Sequence, residues 1–338
     1  MKFACHIQFD SDDLNEAIAI IDTLLASEEG QKLTKPGQPV RTEIQQLKIE
    51  SVNHLRKDEA FDGQYVIKSV LGISASGIVY KAACLISERV VAIKVLHRDC
   101  AADPFLIAQL SSEPRGASAP RHPHIVTAND FAGLRTGQPY LVMDYISGQP
   151  LTRLIGHGQA IDWSQLTSIC IQICDGLAAI HSQGLTHCNL KPSNIILQNA
   201  DQGKHFVKIL DTGLGRSMRQ GASSKLRLTD SFTGNPLYIS PEQCSGGALD
   251  ARSDIYSLGC IMYEALSGRP VFDGVTPHQL FLQHSSERPK PISFAKTDKT
   301  VSKGLEPVIF KALEKLPAER YASVSDLKED LLACLDRN

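Results

Sequence analysis

The segment Leu71-Gly72-Ile73-Ser74-Ala75-Ser76-Gly77-Ile78-Val79-Tyr80 has glycines near both ends and short side chains between them. Between two strands, such a loop can lay backbone N–H groups over phosphate oxygens, which makes Gly72, Ser74 and Gly77 candidate phosphate contacts. The same residues would also serve as a plain glycine-bearing hairpin turn. Val91-Ala92-Ile93-Lys94 follows on the next expected strand. A lysine alternating with buried Val and Ile points its ammonium into an apolar cleft and needs a partner there. The competing reading is an edge-strand lysine that snorkels to solvent.

The elements that would position these residues change in type along the chain. Phe3, Cys5, Ile7 and Phe9 alternate with Lys2, His6 and Gln8, as in a strand. Asp13 and Glu16 then open a helix whose stripe Leu14, Ile18, Ile21, Leu24 and Leu25 stops at Gly30. With a Gly/Pro break at 31–39 and a strand near Ile44, Leu47 and Ile49, residues 1–60 read as a small α+β appendage or as an extension packed on the main domain, and their sequence names no chemistry. From Tyr65 to about Val95, β-branched runs separated by Gly and charged turns predict a twisted antiparallel sheet. Beyond residue 150 the periodicity is helical, notably over Leu166 to His181 and Ile255 to Leu266, with helix-ending glycines at 184 and 268. Residues 216–233, rich in Ser, Thr, Arg and Lys, read as a mobile polar loop.

Further motifs follow in order. His187-Cys188-Asn189-Leu190-Lys191-Pro192-Ser193-Asn194 precedes the apolar run Ile195-Ile196-Leu197, and Val207-Lys208-Ile209-Leu210-Asp211-Thr212-Gly213 comes next. Gly234-Asn235-Pro236-Leu237-Tyr238-Ile239-Ser240-Pro241-Glu242-Gln243, then Asp254-Ile255-Tyr256-Ser257-Leu258-Gly259, and finally Arg320 in Pro317-Ala318-Glu319-Arg320-Tyr321 complete the series. Over residues 61–335 it resembles the protein-kinase family, most closely the bacterial serine/threonine kinases of eukaryotic type. The resemblance implies an α+β, bilobal protein-kinase-like fold with a small N-terminal extension. Its N-lobe, about 61–143, would hold an antiparallel sheet and one helix; its C-lobe, about 147–335, would be mainly helical.

The resemblance also implies ATP and Mg2+ as cofactors, with a role for each matching residue. Lys94 would hold the α/β-phosphates, paired with Glu113. Asn194 and Asp211 would carry magnesium, and Lys191 would steady the γ-phosphate. The adenine would lie between Val79 and Ala92 above and Ile196 below, with Met143 as gatekeeper and backbone groups of Asp144 and Ile146 meeting the base edge. Glu242 and Arg320 would form a buried ion pair with a structural role.

The departures from the family pattern cluster on transfer and activation. Asn189 stands at the catalytic-base position, where an amide can orient a substrate hydroxyl but cannot accept its proton. Asn235 replaces the threonine or serine that bridges the base and Lys191. Cys188 replaces the arginine that would pair with a phosphorylated loop, and Thr212 replaces an aromatic in the metal-binding turn. Pro114, Gly116 and Pro120 surround Glu113, so its helix is kinked or begins there; alternatively Glu113 is a solvated surface acid.

With 338 residues, 42% apolar and 21% charged, the composition is that of a soluble globular protein with one large domain and an appendage. A net charge of -2 gives no electrostatic reason to expect nucleic acid or an anionic membrane as partner. Nine cysteines without a CxxC pair fit a reducing cytosol, and Cys170 and Cys174 read as core. The N-terminus lacks the apolar core of a signal peptide, and no window of about eighteen residues is apolar and uncharged as a membrane span requires. The expectation is a cytoplasmic kinase-family protein that binds ATP with magnesium, has weak or absent phosphotransfer, and signals to an unidentified protein partner or substrate. The alternatives are a slow but active serine/threonine kinase and an interaction scaffold that binds no nucleotide.

Overall fold

The computed structural model describes residues 55–74, 77–102, 107, 119–126, 128–133, 138–155, 161–199, 205–210, 236–292 and 299–336. The expected strands and helix before residue 55, the loop 216–233, and Glu113, Asp211, Thr212 and Asn235 lie outside them, as does the side chain of Ser74. The described residues divide into two compact units. The first comprises those up to 107 together with 129–145; the second comprises 119–128 and those from 146 onward.

The first unit is built on β-branched and aromatic runs. Its sheet contains β1 (Ala60–Phe61), β2 (Tyr65–Ser74), β3 (Gly77–Cys84), β4 (Val90–Leu96), β5 (Ala128–Gly133) and β6 (Pro139–Asp144), in the spatial order β1-β2-β3-β4-β6-β5. The pairs from β1 through β6 are antiparallel. One face supplies the core: Ile67, Ile78, Tyr80, Val91, Ile93, Val95, Tyr140 and Val142 pack there. A sheet face of such residues is stabilised by burial at about 25 cal/mol per Å² of apolar surface. The residues of β4 alternate between the two sheet faces as expected, Val91, Ile93 and Val95 towards the core and Ala92 and Lys94 away from it, and every residue from Val91 to Leu96 is buried. As an inner strand covered on both faces, it reads as a continuous apolar run with Lys94 set into it. A short helix α1 (Arg98–Ala101) follows.

The second unit holds a small antiparallel sheet of β7 (Gln149–Pro150), β8 (Ile195–Asn199) and β9 (His205–Ile209). Its helices are α2 (Trp163–His181), α3 (Pro241–Ser245), α4 (Ala251–Ser267), α5 (Pro277–Ser286), α6 (Lys299–Ala312) and α7 (Val324–Asp336). Helix α2 starts three residues before the first expected apolar position because Asp162 caps it, accepting from Ser164 N at 2.9 Å and Gln165 N at 3.2 Å. Asp250 does the same for α4 through Arg252 N at 2.8 Å. Gly268, at φ +73°, closes α4 in the left-handed region, whereas Gly184, at φ +70°, lies in the turn beyond α2. Cys170 and Cys174 are core residues as expected, and burial pushes both thiols well up. No group of metal-ligating side chains occurs among the described residues, and no described helix is long and apolar enough to cross a membrane.

The Glu242–Arg320 pair is present and fully engaged. Arg320 Nη1 and Nη2 donate to the two carboxylate oxygens at 2.9 and 2.8 Å. The remaining donors reach the backbone carbonyls of Glu314 at 2.7 Å, Arg252 at 2.8 Å and Lys315 at 3.0 Å. All five guanidinium N–H groups are thereby used. Burial alone would raise the Glu242 carboxyl; its bonds to Arg320 and Ser253 and the Arg320 charge reverse that and hold it below its ordinary value.

Candidate functional site

In the first unit, strand register gathers most of the expected nucleotide residues on one sheet face. Val79 of β3 lies opposite Gly72 of β2 and Lys94 of β4, and Lys94 lies opposite Leu141 of β6. In the next row Ala92 lies between Lys81 of β3 and Met143 of β6. Residues directly opposite in antiparallel strands share a face. Gly72, Val79, Ala92, Lys94 and Met143 are therefore neighbours on the face turned away from the aromatic and aliphatic core. Lys94 is only 8% exposed there, which excludes the snorkelling alternative.

Gly77 has a steric role that its place in a glycine motif does not reveal. It pairs with Ser74 and Leu96, and a Cβ at this position would lie 2.2 Å from the Val95 carbonyl oxygen. No flexible group can yield, because the obstacle is backbone. Gly77→Ala is expected to push β3 from β4 and cost about 1–3 kcal/mol. Thermal unfolding without nucleotide measures this, and an unchanged melting temperature would refute the steric reading.

In the second unit, the segment His187 to Asn194 is held by its backbone. Asp254, fully buried on α4, accepts from the N–H groups of His187 and Cys188, both at 2.8 Å, and from His181 Nε2 at 2.7 Å. His187 Nε2 donates to the Leu210 carbonyl at 2.9 Å while its Nδ1 accepts from Asn189 N at 3.2 Å, which assigns the ring proton to Nε2. Gln243 Nε2 donates to the Cys188 carbonyl at 2.7 Å. Cys188 adopts φ +61°, a left-handed conformation uncommon for a non-glycine residue, and is bonded on both sides of its backbone.

The candidate catalytic and metal residues follow directly. Asn194 Nδ2 donates to the Asn189 carbonyl at 2.9 Å, so Oδ1 is the atom with which it would meet a cation. A neutral amide oxygen suits a hard ion such as Mg2+. Asn194 ends the 3-10 turn Pro192–Asn194, whose first residue follows the buried Lys191. Ile196, on β8, is buried; a Cβ on Gly148 would lie 2.7 Å from its Cγ2, so the chain passes closely over it. Asp144 ends β6 in the first unit, and the chain re-enters the second unit at Ile146.

Sequence reasoning missed Asp254 and Gln243 as organisers of this loop. The available signal for Asp254 was an acid at the head of the apolar stripe of α4, since an ionised carboxylate enters a core only with hydrogen-bond partners.

A six-stranded, mostly antiparallel sheet unit and a helical unit carrying a backbone-clamped loop define the protein-kinase fold. Residues 65–332 match the family model described as protein kinase domain. The chain belongs to that family, among the bacterial serine/threonine kinases of eukaryotic type. It is 35% identical over 272 residues to the serine/threonine-protein kinase PknB of Mycolicibacterium smegmatis, covering 80% of this chain and 42% of that protein. It is 34% identical over 278 residues to a probable serine/threonine-protein kinase of Streptomyces coelicolor, covering 81% and 40%. The chain thus spans about two fifths of the length of these relatives. The crystal structure of the Mycobacterium tuberculosis PknI kinase domain superposes with a TM-score of 0.64 at 24% identity, covering 83% of this chain and all of that one.

Proposed function

We propose that this chain binds ATP with magnesium and that its phosphotransfer to protein is weak or absent, so that it signals to a protein partner in the cytoplasm through its bound state. The observation that carries this reading is the contrast within one loop. Its backbone is held by Asp254, His187, Gln243 and Asn194, yet it presents the amide of Asn189 at the base position. Bound ATP would supply the γ-phosphoryl group, with magnesium neutralising charge on the phosphate oxygens. Lys94 would hold the α/β-phosphates, Lys191 the γ-phosphate, Asn194 and Asp211 the cation, and Val79, Ala92 and Ile196 the base. Gly72, Ser74 and Gly77 would cover the phosphates, and Glu113 would pair with Lys94.

Thermal-shift titration tests binding. ATP with magnesium at about one hundred times its Kd should add about 2.7 kcal/mol of stability. Asp211→Ala should remove the dependence on magnesium. If ATP gives no magnesium-dependent stabilisation, the reading is wrong.

A second reading, a slow but active serine/threonine kinase, is favoured by the same loop. Lys191 and Asn194 are placed by an ordered turn, and phosphoryl transfer depends chiefly on positioning and charge. Transfer of γ-phosphate by the wild type that Asp211→Ala abolishes would select it.

A further inference from the structure

The chain leaves the first unit through Asp144 and Tyr145, and the side chains of both are held from other strands. Asn129 of β5 donates from Nδ2 to Asp144 Oδ1 at 2.9 Å. Lys81 of β3 places Nζ 4.3 Å from the centroid of the Tyr145 ring, within cation–π range. The two contacts come from opposite faces. Lys81 stands in the row with Ala92 and Met143, whereas Asp144 pairs with Val91, which belongs to the core face. Two consecutive residues are therefore gripped from the two sides of the sheet, which holds the Cα–Cβ directions on either side of their shared peptide and narrows the range of backbone conformations open to it.

That peptide matters because the groups expected to read the base here are backbone groups. A carbonyl and an N–H recognise a base edge only when their planes are correctly set, and orientation fixed before binding lowers the cost of binding. We propose that Lys81 and Asn129 are positioning residues for base recognition: they orient the backbone of residues 144–146 so that it discriminates among nucleobases. The inference rests on the nucleotide-binding reading above. It assigns the Lys81 charge to the Tyr145 ring and not to a phosphate, although Lys81 lies on the same sheet face as Lys94. It gives Asn129, an exposed edge-strand residue, a role that its position alone does not suggest.

The test is calorimetric binding of Mg–ATP, Mg–GTP and Mg–tripolyphosphate to the full chain as wild type, Lys81→Met, Asn129→Ala, the double variant and Lys81→Arg. Lys81→Met keeps the apolar stem and removes the charge; Lys81→Arg restores a cation over the ring. Wild type should prefer ATP to GTP. Each single variant should lower the ATP-to-tripolyphosphate affinity ratio by about threefold and the double variant by about tenfold. Lys81→Arg should retain the wild-type ratio. Because removing a charge weakens every anionic ligand, the ratio isolates the base-reading effect. If ATP and tripolyphosphate weaken in parallel, or the double variant keeps the wild-type ATP-to-GTP preference, the positioning role is overturned while nucleotide binding stands. A wild type that binds none of the three ligands overturns the nucleotide reading and this inference with it.

Discussion

Asn189→Asp is expected to raise γ-phosphate transfer to serine or threonine by about 10²- to 10⁴-fold, the usual contribution of a general base. The substitution replaces an amide by a carboxylate of the same shape and leaves the loop as it is. Among the described residues, residue 189 is held through its N–H to His187 Nδ1 and its carbonyl to Asn194 Nδ2, neither of which uses its side chain. The gain should therefore appear in kcat with little change in KM for ATP, since only an interaction made in the transition state is added. Radiolabel transfer to a peptide library, with Asp211→Ala as the inactive control, measures it. Equal rates for wild type and variant would remove Asn189 as the limiting residue and shift attention to Asn235 and Cys188.

Arg320→Ala should cost about 3–5 kcal/mol, the loss expected when one partner of a buried pair is removed and the other charge is left without compensation. The side chain of Arg320 is inaccessible to solvent and that of Glu242 is 9% exposed. The variant also orphans three backbone carbonyls that the guanidinium now satisfies. Urea unfolding with a lower midpoint at unchanged slope is the expected result. Lysine at 320 should recover little, since one ammonium cannot reproduce a five-donor fork. A midpoint within experimental error of wild type would show that the pair is dispensable.

The same pair gives an acid limb to the stability curve. The Glu242 carboxyl is held below its ordinary value of 4.5, so its contribution is complete above that pH and is lost as the pH falls through the lower folded value. Glu242→Gln should be less stable than wild type at neutral pH and should lose less on acidification. Parallel stability curves for the two proteins would contradict the assignment.

Much of the architecture was readable from local chemistry, and what was not readable was mostly non-local. The β-branched runs from Val66 to Ile93 located β2, β3 and β4, and the apolar stripes located α2 and α4. Helix starts were displaced because their capping acids, Asp162 and Asp250, precede the apolar pattern. The alternation of Lys94 with Val91, Ile93 and Val95 was legible in β4, whereas the burial of both its faces was not, because an inner strand covered on both sides carries no exposed polar side to mark it. Within the site, Gly72, Val79, Ala92, Lys94 and Met143 meet through strand register, which the spacing of the motifs only implied. The hold of Asp254 on His187 and Cys188 crosses 67 and 66 positions of sequence, and no local pattern reports so distant a contact.

The left-handed turn at Cys188 has a consequence for how such a protein can change. Its N–H and its carbonyl are both held by side chains far away in the chain, and so the main chain there behaves as a socket that presents side chains. Chemistry at positions 188 and 189 can then be exchanged without dismantling the frame that presents it. A lineage carrying this socket can change the chemistry presented at these two positions by single codon steps while the main-chain contacts that shape the turn stay in place.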